Sequence, residues 1–107
     1  MKQIKSLVIL IALFAAACGG SGGVTVKDVA ATRALFEEQK CSICHGAKGE
    51  GGVGPTLKTG LPMGRTVEEL TTRISNGSGV MPAFKDKLSQ EQISELAKFV
   101  YKEIQGR

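Results

Sequence analysis

The stretch Cys41-Ser42-Ile43-Cys44-His45 decides how this 107-residue chain folds. It contains two thiols separated by two residues and an imidazole directly after the second thiol, which is the C-x-x-C-H pattern of c-type haem attachment. The thiols can add to the two vinyl groups of the haem, and the histidine can bind the iron as the proximal axial ligand. We therefore predict one haem c, attached covalently through Cys41 and Cys44, with its iron bound by His45.

Other uses of this motif agree less well with the rest of the chain. A structural zinc site needs four ligands, but His45 is the only histidine and Cys18 is the only other cysteine. A thioredoxin-like redox pair is expected after a strand in a βαβ pattern, whereas this pair follows a helical segment. A disulfide between Cys41 and Cys44 would be strained and would leave His45 unexplained.

The first 17 residues have the pattern of an export signal. A basic start with Lys2 and Lys5 is followed by an apolar run from Ser6 to Ala17, which ends in three alanines. The run is shorter than the roughly 20 residues that a membrane-spanning helix needs. We therefore predict a signal peptide over 1–17 and an extracytoplasmic location, where bacteria attach haem c.

Cys18 follows the alanines directly, as the cysteine of a bacterial lipoprotein does. An exposed, unpaired thiol is a liability in an oxidising compartment, and lipidation would remove it. Ordinary signal cleavage before Cys18, or a signal retained as an anchor, are the alternatives. The favoured interpretation is a lipid-anchored protein in which Cys18 and a flexible Gly/Ser-rich linker occupy 18–27.

The remaining residues, 28–107, form one predicted domain of about 80 residues, a size at which a core is difficult to build from side chains alone. A buried haem would supply the missing apolar surface. The chain carries 14 basic and 10 acidic residues, and Lys2 and Lys5 belong to the signal. Two ionised haem propionates would bring the mature domain close to neutrality, so the composition does not suggest nucleic-acid binding.

Three helices are predicted in this domain. Asp28 can cap the first helix, from Val29 to about Lys40. Capping boxes that begin at Thr66 and at Ser89 open the other two, and the second helix should end at Asn76-Gly77. The last helix should continue past the apolar positions Ile93, Leu96, Ala97, Val100 and Ile104.

A loop is predicted between the first two of these helices. Seven glycines and two prolines lie between Gly46 and Gly64, a composition that excludes regular helix over most of the segment. It is typical of a loop that wraps closely around a ligand.

Four motifs in a fixed order cover nearly the whole domain. They are C-S-I-C-H at 41–45, G-x-G-P-x-L at 52–57, N-G-x-x-x-M-P-A-F at 76–84 and L-S-x-x-x-I-x-x-L-A-x-F-V at 88–100. From about Val29 to Gln105 the chain resembles the small class I bacterial cytochromes c, of the c6, c551 and c553 kind. The resemblance implies an all-α fold in which the first and last helices cross, here through Phe36 and the Leu96/Phe99 positions.

The resemblance also implies the surroundings of the iron. The carbonyl of Pro55 would accept a hydrogen bond from His45 and fix the orientation of the ring. Two methionines compete for the sixth coordination position, since Met–His is the usual cytochrome c pair. Met81 lies beyond a whole intervening helix and matches the M-P-A-F motif, whereas Met63 comes earlier in the chain and is the alternative.

The implied function is a monomeric one-electron carrier rather than an enzyme, passing electrons from a donor such as a bc-type complex to a terminal oxidase or other acceptor. A haem-based ligand sensor or a peroxidase-like enzyme with an open sixth position is the alternative. Four lysines are candidates for steering an acidic partner: Lys48, Lys58, Lys85 and Lys87. A merely solvated face is the simpler interpretation of these residues.

Overall fold

The computed structural model describes residues 23–58 and 65–107, so the predicted signal, Cys18 and Met63 lie outside the described residues. The described part is helical and contains no strand, which confirms the all-α prediction; its single β-bridge joins Ser78 and Met81. The elements are α1 (Val29–Glu38), α2 (Cys41–His45), α3 (Val67–Asn76) and α4 (Gln90–Phe99), and a π-helical turn over Val100–Ile104 follows α4.

All three predicted helix starts are confirmed. The Asp28 carboxylate accepts a hydrogen bond from the Ala31 N–H at the start of α1. Thr66 and Ser89 each form a complete capping box at the starts of α3 and α4. These side chains satisfy N–H groups that have no partner within the helix.

The predicted end of the first helix at Lys40 is wrong. Helix α1 ends at Glu38 because Lys40 adopts a left-handed conformation with φ 63°, which turns the chain out of the helical path. The Lys40 N–H still donates to the Glu37 carbonyl, and the Lys40 carbonyl accepts from Ile43. The turn therefore separates α1 from α2 and gives the C-x-x-C-H motif a helix of its own.

The crossing of the first and last helices is confirmed. The rings of Phe36 in α1 and Phe99 in α4 lie 5.8 Å apart, and both side chains are buried. Leu96 belongs to the same apolar cluster, to which Phe84 and Leu88 also contribute from the segment before α4. We call this set, with Ile93, the main cluster.

The last helix departs from regular α geometry near its end. The Gln105 N–H donates to the Val100 carbonyl, five residues back, across the π-helical turn. The turn brings Ile104 against the loop after α2, where a Cβ added to Gly49 would lie 2.6 Å from its Cγ2 atom. Val100 and Ile104 are four residues apart, a spacing that fits an α-helix equally well, so their pattern did not predict the change.

In the part of the chain that the structure describes, none of the helices has both the length and the apolar character needed to cross a membrane.

A buried carboxylate that the sequence did not predict holds the segment before α1 against α4. Glu95 is only 9% exposed and accepts hydrogen bonds from the Lys27 backbone N–H at 2.9 Å and from Lys98 Nζ at 3.0 Å. Lys27 Nζ also pairs with Glu91 at 2.7 Å, and Val26 packs against the main cluster. Residues 26 and 27, at the end of the predicted linker, therefore contact the domain.

These contacts predict a loss of stability in acid. The hydrogen bond from the Lys27 backbone, followed by that from Lys98, lowers the pKa of Glu95 below its ordinary value of 4.5. Because the folded-state pKa is lower than the unfolded-state pKa, the ionised carboxylate stabilises the native domain at pH values above the unfolded-state pKa. This contribution disappears as the pH falls through the folded-state pKa. We therefore expect the free energy of unfolding of the haem-loaded chain, measured with urea, to fall less in acid for Glu95→Gln than for the unmutated protein. Glu103→Gln, at an exposed position, is the control and should leave the decrease unchanged; equal curves for all three proteins would contradict the prediction.

Candidate functional site

The two cysteines of the motif lie one helical turn apart on α2, so their side chains share a face of that helix. Cys41 is half-buried and Cys44 is exposed. Before haem attachment, burial disfavours the thiolate and raises the pKa of the Cys41 thiol to about 11. A hydrogen bond of 2.8 Å from Ser42 Oγ to Glu37 joins α2 to the end of α1.

His45 is the last residue of α2, and one of its ring nitrogens is engaged by the protein. Its Nδ1 atom lies 2.8 Å from the carbonyl oxygen of Pro55. A carbonyl can only accept a hydrogen bond, so in the neutral ring the proton lies on Nδ1 and the lone pair lies on Nε2. The ring is therefore oriented with Nε2 available to a metal.

The loop after α2 folds back tightly on the motif. The Gly51 N–H donates to the His45 carbonyl and the Gly54 N–H donates to the Cys44 carbonyl, both at 2.7 Å. A Cβ added to Gly54 would lie 3.2 Å from His45 Nδ1, closer than ordinary van der Waals contact. The glycine before Pro55 therefore lets the loop backbone approach the imidazole and bring the proline carbonyl to it.

Met81 lies in the segment between α3 and α4 and is half-buried. Together with Cys41 and Leu57, it packs against the main cluster. The structure thus brings the C-x-x-C-H helix, the G-x-G-P-x-L loop and the M-P-A-F segment to one apolar core. The competing residue Met63 lies outside the described residues, so the choice between the two methionines stays a prediction.

Three apolar side chains of these segments face solvent; Ile43 lies on the short helix α2, and Val53 and Val80 lie in a bend and a turn. Ile43, Val53 and Val80 are 67%, 84% and 95% exposed. All four candidate steering lysines are exposed as well; Lys87 Nζ lies 5.5 Å from the centre of the Phe84 ring. The role of the lysines in binding a partner stays a prediction.

The donor set fits a haem c: two thiols one helical turn apart, a histidine with Nε2 available and a half-buried thioether at the same core. A family model described as "Cytochrome C oxidase, cbb3-type, subunit III" matches residues 27–100. Cytochrome c6 of Leptolyngbya boryana is 38% identical over 78 residues, which cover 68% of this chain and 89% of that protein. The chain belongs to the cytochrome c family.

Two further comparisons agree with this family. Chloroplastic cytochrome c6 of Chlamydomonas reinhardtii is 32% identical over 91 residues, or 78% of this cytochrome, which in turn spans 60% of the algal protein. Cytochrome cL of the marine methylotrophic bacterium Methylophaga aminisulfidivorans superposes with a TM-score of 0.57 at 26% identity, over 67% of this chain and 50% of that one. The predicted class I fold and the covalent haem c are confirmed. At the level of the family, the comparisons also support an electron-carrying haem protein rather than an enzyme.

Proposed function

We propose that this cytochrome is a one-electron carrier whose iron is held between His45 and Met81. The observation that carries the proposal is the hydrogen bond between His45 Nδ1 and the Pro55 carbonyl, which leaves Nε2 as the donor atom of an oriented imidazole. Cys41 and Cys44 would hold the haem through two thioethers. The bound haem supplies an iron that cycles between Fe(II) and Fe(III).

Met81 as the sixth ligand would suit the protein for carrying electrons. A thioether is a soft ligand that favours Fe(II), so it raises the reduction potential. It would also fill the coordination position that a sensor or a peroxidase-like enzyme needs to keep open. Pro82 and the hydrogen bonds of the segment would restrain Met81, so the iron would keep nearly the same ligand geometry in both oxidation states.

The partners follow from this role. We propose an extracytoplasmic monomer that accepts an electron from a membrane complex such as a bc-type donor and delivers it to a terminal oxidase or other acceptor. Carriers bind such partners through small, short-lived interfaces. The exposed lysines, with Lys48 and Lys58 on the loop after α2, would steer an acidic partner toward the protein and make its binding rate depend on salt.

Electron transfer between two complexes tests the carrier function. The haem-loaded chain, mixed with a quinol, a bc-type complex and a terminal oxidase, should be reduced and reoxidised repeatedly, as followed by its absorbance. Oxygen consumption by the mixture should depend on the cytochrome. A chain that neither complex can reduce or oxidise, but that reacts with peroxide or binds CO readily, would contradict the proposal.

We propose further that Cys18 anchors the domain to a membrane. Signal residues 1–17 would be removed, Cys18 would carry a diacylglyceryl group, and residues up to 27 would form the tether. Two acyl chains are sufficient for stable membrane attachment. The tether would keep the haem domain close to its membrane-bound partners and raise their effective concentration.

The anchor predicts that Cys18→Ser releases haem-loaded cytochrome from the membrane into the soluble extracytoplasmic fraction. Haem attachment should be unaffected, because Cys41 and Cys44 are retained. Fractionation followed by mass spectrometry of the N-terminal peptide measures both effects. Unchanged membrane retention of the variant, with no lipid on the unmutated peptide, would show that the anchor is wrong.

A further inference from the structure

The segment that carries Met81 is a short hairpin fastened to the end of α3. The Ser78 N–H donates to the Met81 carbonyl at 3.1 Å, and the Met81 N–H donates to the Ser78 carbonyl at 2.9 Å. Beyond the hairpin, the Phe84 N–H donates to the Ile74 carbonyl in the last turn of α3 at 3.0 Å. Backbone hydrogen bonds therefore fix the position of Met81 relative to α3, whatever its side chain binds.

Gly77 is the residue against which this hairpin closes. Its N–H donates to the Arg73 carbonyl and ends α3, and its φ of 69° lies in the left-handed region. A Cβ added at Gly77 would overlap the Met81 carbonyl oxygen and would lie 2.8 Å from the carbonyl carbon of Pro82 and 2.9 Å from the Ala83 nitrogen. All three neighbours are backbone atoms, which cannot rotate away as the end of a side chain can.

Gly79, at the tip of the same hairpin, provides a matched comparison. Its φ of 57° is also left-handed, but a Cβ added there would meet nothing within 4 Å. An alanine at either position would have the same unfavourable backbone conformation. Only an alanine at Gly77 would also push against the segment Met81–Ala83.

We propose that Gly77 is a positioning residue for Met81. Because Gly77 has no side chain, the Met81–Ala83 backbone can lie directly against the end of α3. This contact sets the position of the Met81 thioether relative to α3. The inference rests on the proposed function, in which Met81 binds the iron. Any side chain at Gly77 would displace the ligand-bearing backbone, and Met81 would bind the iron more weakly in both oxidation states.

The test compares Gly77→Ala, Gly79→Ala and Met81→Ala in the haem-loaded chain. Three readouts depend on the sixth ligand: the long-wavelength charge-transfer band of the ferric protein, CO binding by the ferrous protein, and the reduction potential. We expect Gly77→Ala to shift all three toward the values of Met81→Ala. The ratio of open to Met-bound iron should rise at least about tenfold, which corresponds to about 1.4 kcal/mol. Gly79→Ala should retain the band and the CO inertness of the unmutated protein.

The outcomes separate this inference from the proposed function. If Met81→Ala changes none of the three readouts, Met81 is not the ligand and the proposed function is wrong. If Met81→Ala changes them but Gly77→Ala and Gly79→Ala behave alike, Met81 remains the ligand and the role of Gly77 is wrong.

A second variant tests the proposal if Gly77→Ala does not acquire covalent haem. The double variant Gly77→Ala/Pro82→Gly gives the displaced segment more freedom to move aside, and we expect it to carry covalent haem and to bind CO more readily than Pro82→Gly alone. A charge-transfer band and CO binding equal to those of Pro82→Gly would overturn the proposal. Failure of the double variant to mature, while Gly79→Ala matures normally, would mean that Gly77 serves folding rather than the position of Met81 and would also overturn it.

Discussion

Replacing Cys41 and Cys44 together by alanine should give a polypeptide with no covalent haem. Each thioether forms when the S–H of a cysteine adds across a vinyl group, with the sulfur bonding to one vinyl carbon and the hydrogen going to the other. The two cysteines lie one turn apart on α2, and no other thiol is present in the domain from residue 28 onward. Haem staining after a denaturing gel, together with the mass of the intact chain, measures the loss.

Single variants make this prediction more specific. Cys41→Ala or Cys44→Ala should leave one thioether or stop maturation, whereas Cys18→Ala should carry covalent haem in full. The domain should also lose stability without its cofactor. A domain of this size builds only a small core from its side chains alone, and the haem would contribute further apolar surface to it. Haem that acid–acetone extracts from the unmutated protein would show that the attachment is not covalent.

The second large effect is expected at Met81. Met81→Ala removes the proposed thioether ligand, so the ferric charge-transfer band should disappear, the ferrous iron should bind CO, and the reduction potential should fall. The potential should fall because a soft sulfur ligand stabilises Fe(II) relative to Fe(III). Optical redox titration and CO titration measure these changes.

Met63→Ala is the matched control for this variant, because it removes the competing methionine. The band, the CO inertness and the potential of Met63→Ala should remain close to those of the unmutated protein. If Met63→Ala loses the band and Met81→Ala retains it, the sixth ligand is Met63 and the assignment made here is wrong.

The features of the fold that the sequence predicted correctly depend on local chemistry. Asp28, Thr66 and Ser89 cap helices because their side chains reach N–H groups three residues ahead, so a short stretch of sequence contains the whole interaction. The contact between Phe36 and Phe99 connects distant parts of the chain, and it was predicted because the motifs resemble a known family.

The features that were not predicted depend on backbone conformation or on distant partners. Lys40 has no sequence signal for a left-handed conformation, which glycine or asparagine would have suggested. Glu95 reads as an ordinary surface carboxylate until the fold brings the Lys27 backbone, 68 residues away, to it. Gly77 could be recognised as a helix end, but its contact with the Met81–Ala83 backbone becomes visible only in three dimensions.

The candidate site shows the same division. The C-x-x-C-H motif is contiguous, so its chemistry could be predicted from five residues. The Pro55 carbonyl at His45 came from the family resemblance, and the structure adds the reason for the preceding glycine, whose missing side chain allows the loop to reach the imidazole. The exposed positions of Val53 and Val80 lie in a bend and a turn, and that of Ile43 lies on the five-residue helix α2, which is too short to show a hydrophobic period.

The absorption spectrum of the purified, unmutated chain, recorded in both oxidation states with and without CO, tests the central claim most directly. An iron held by His45 and Met81 has no open position, so we predict low-spin spectra in both states, a long-wavelength charge-transfer band in the ferric state, and a ferrous spectrum that CO leaves unchanged. A high-spin ferrous iron that binds CO immediately would contradict the account, because a carrier with both axial positions filled cannot behave in that way.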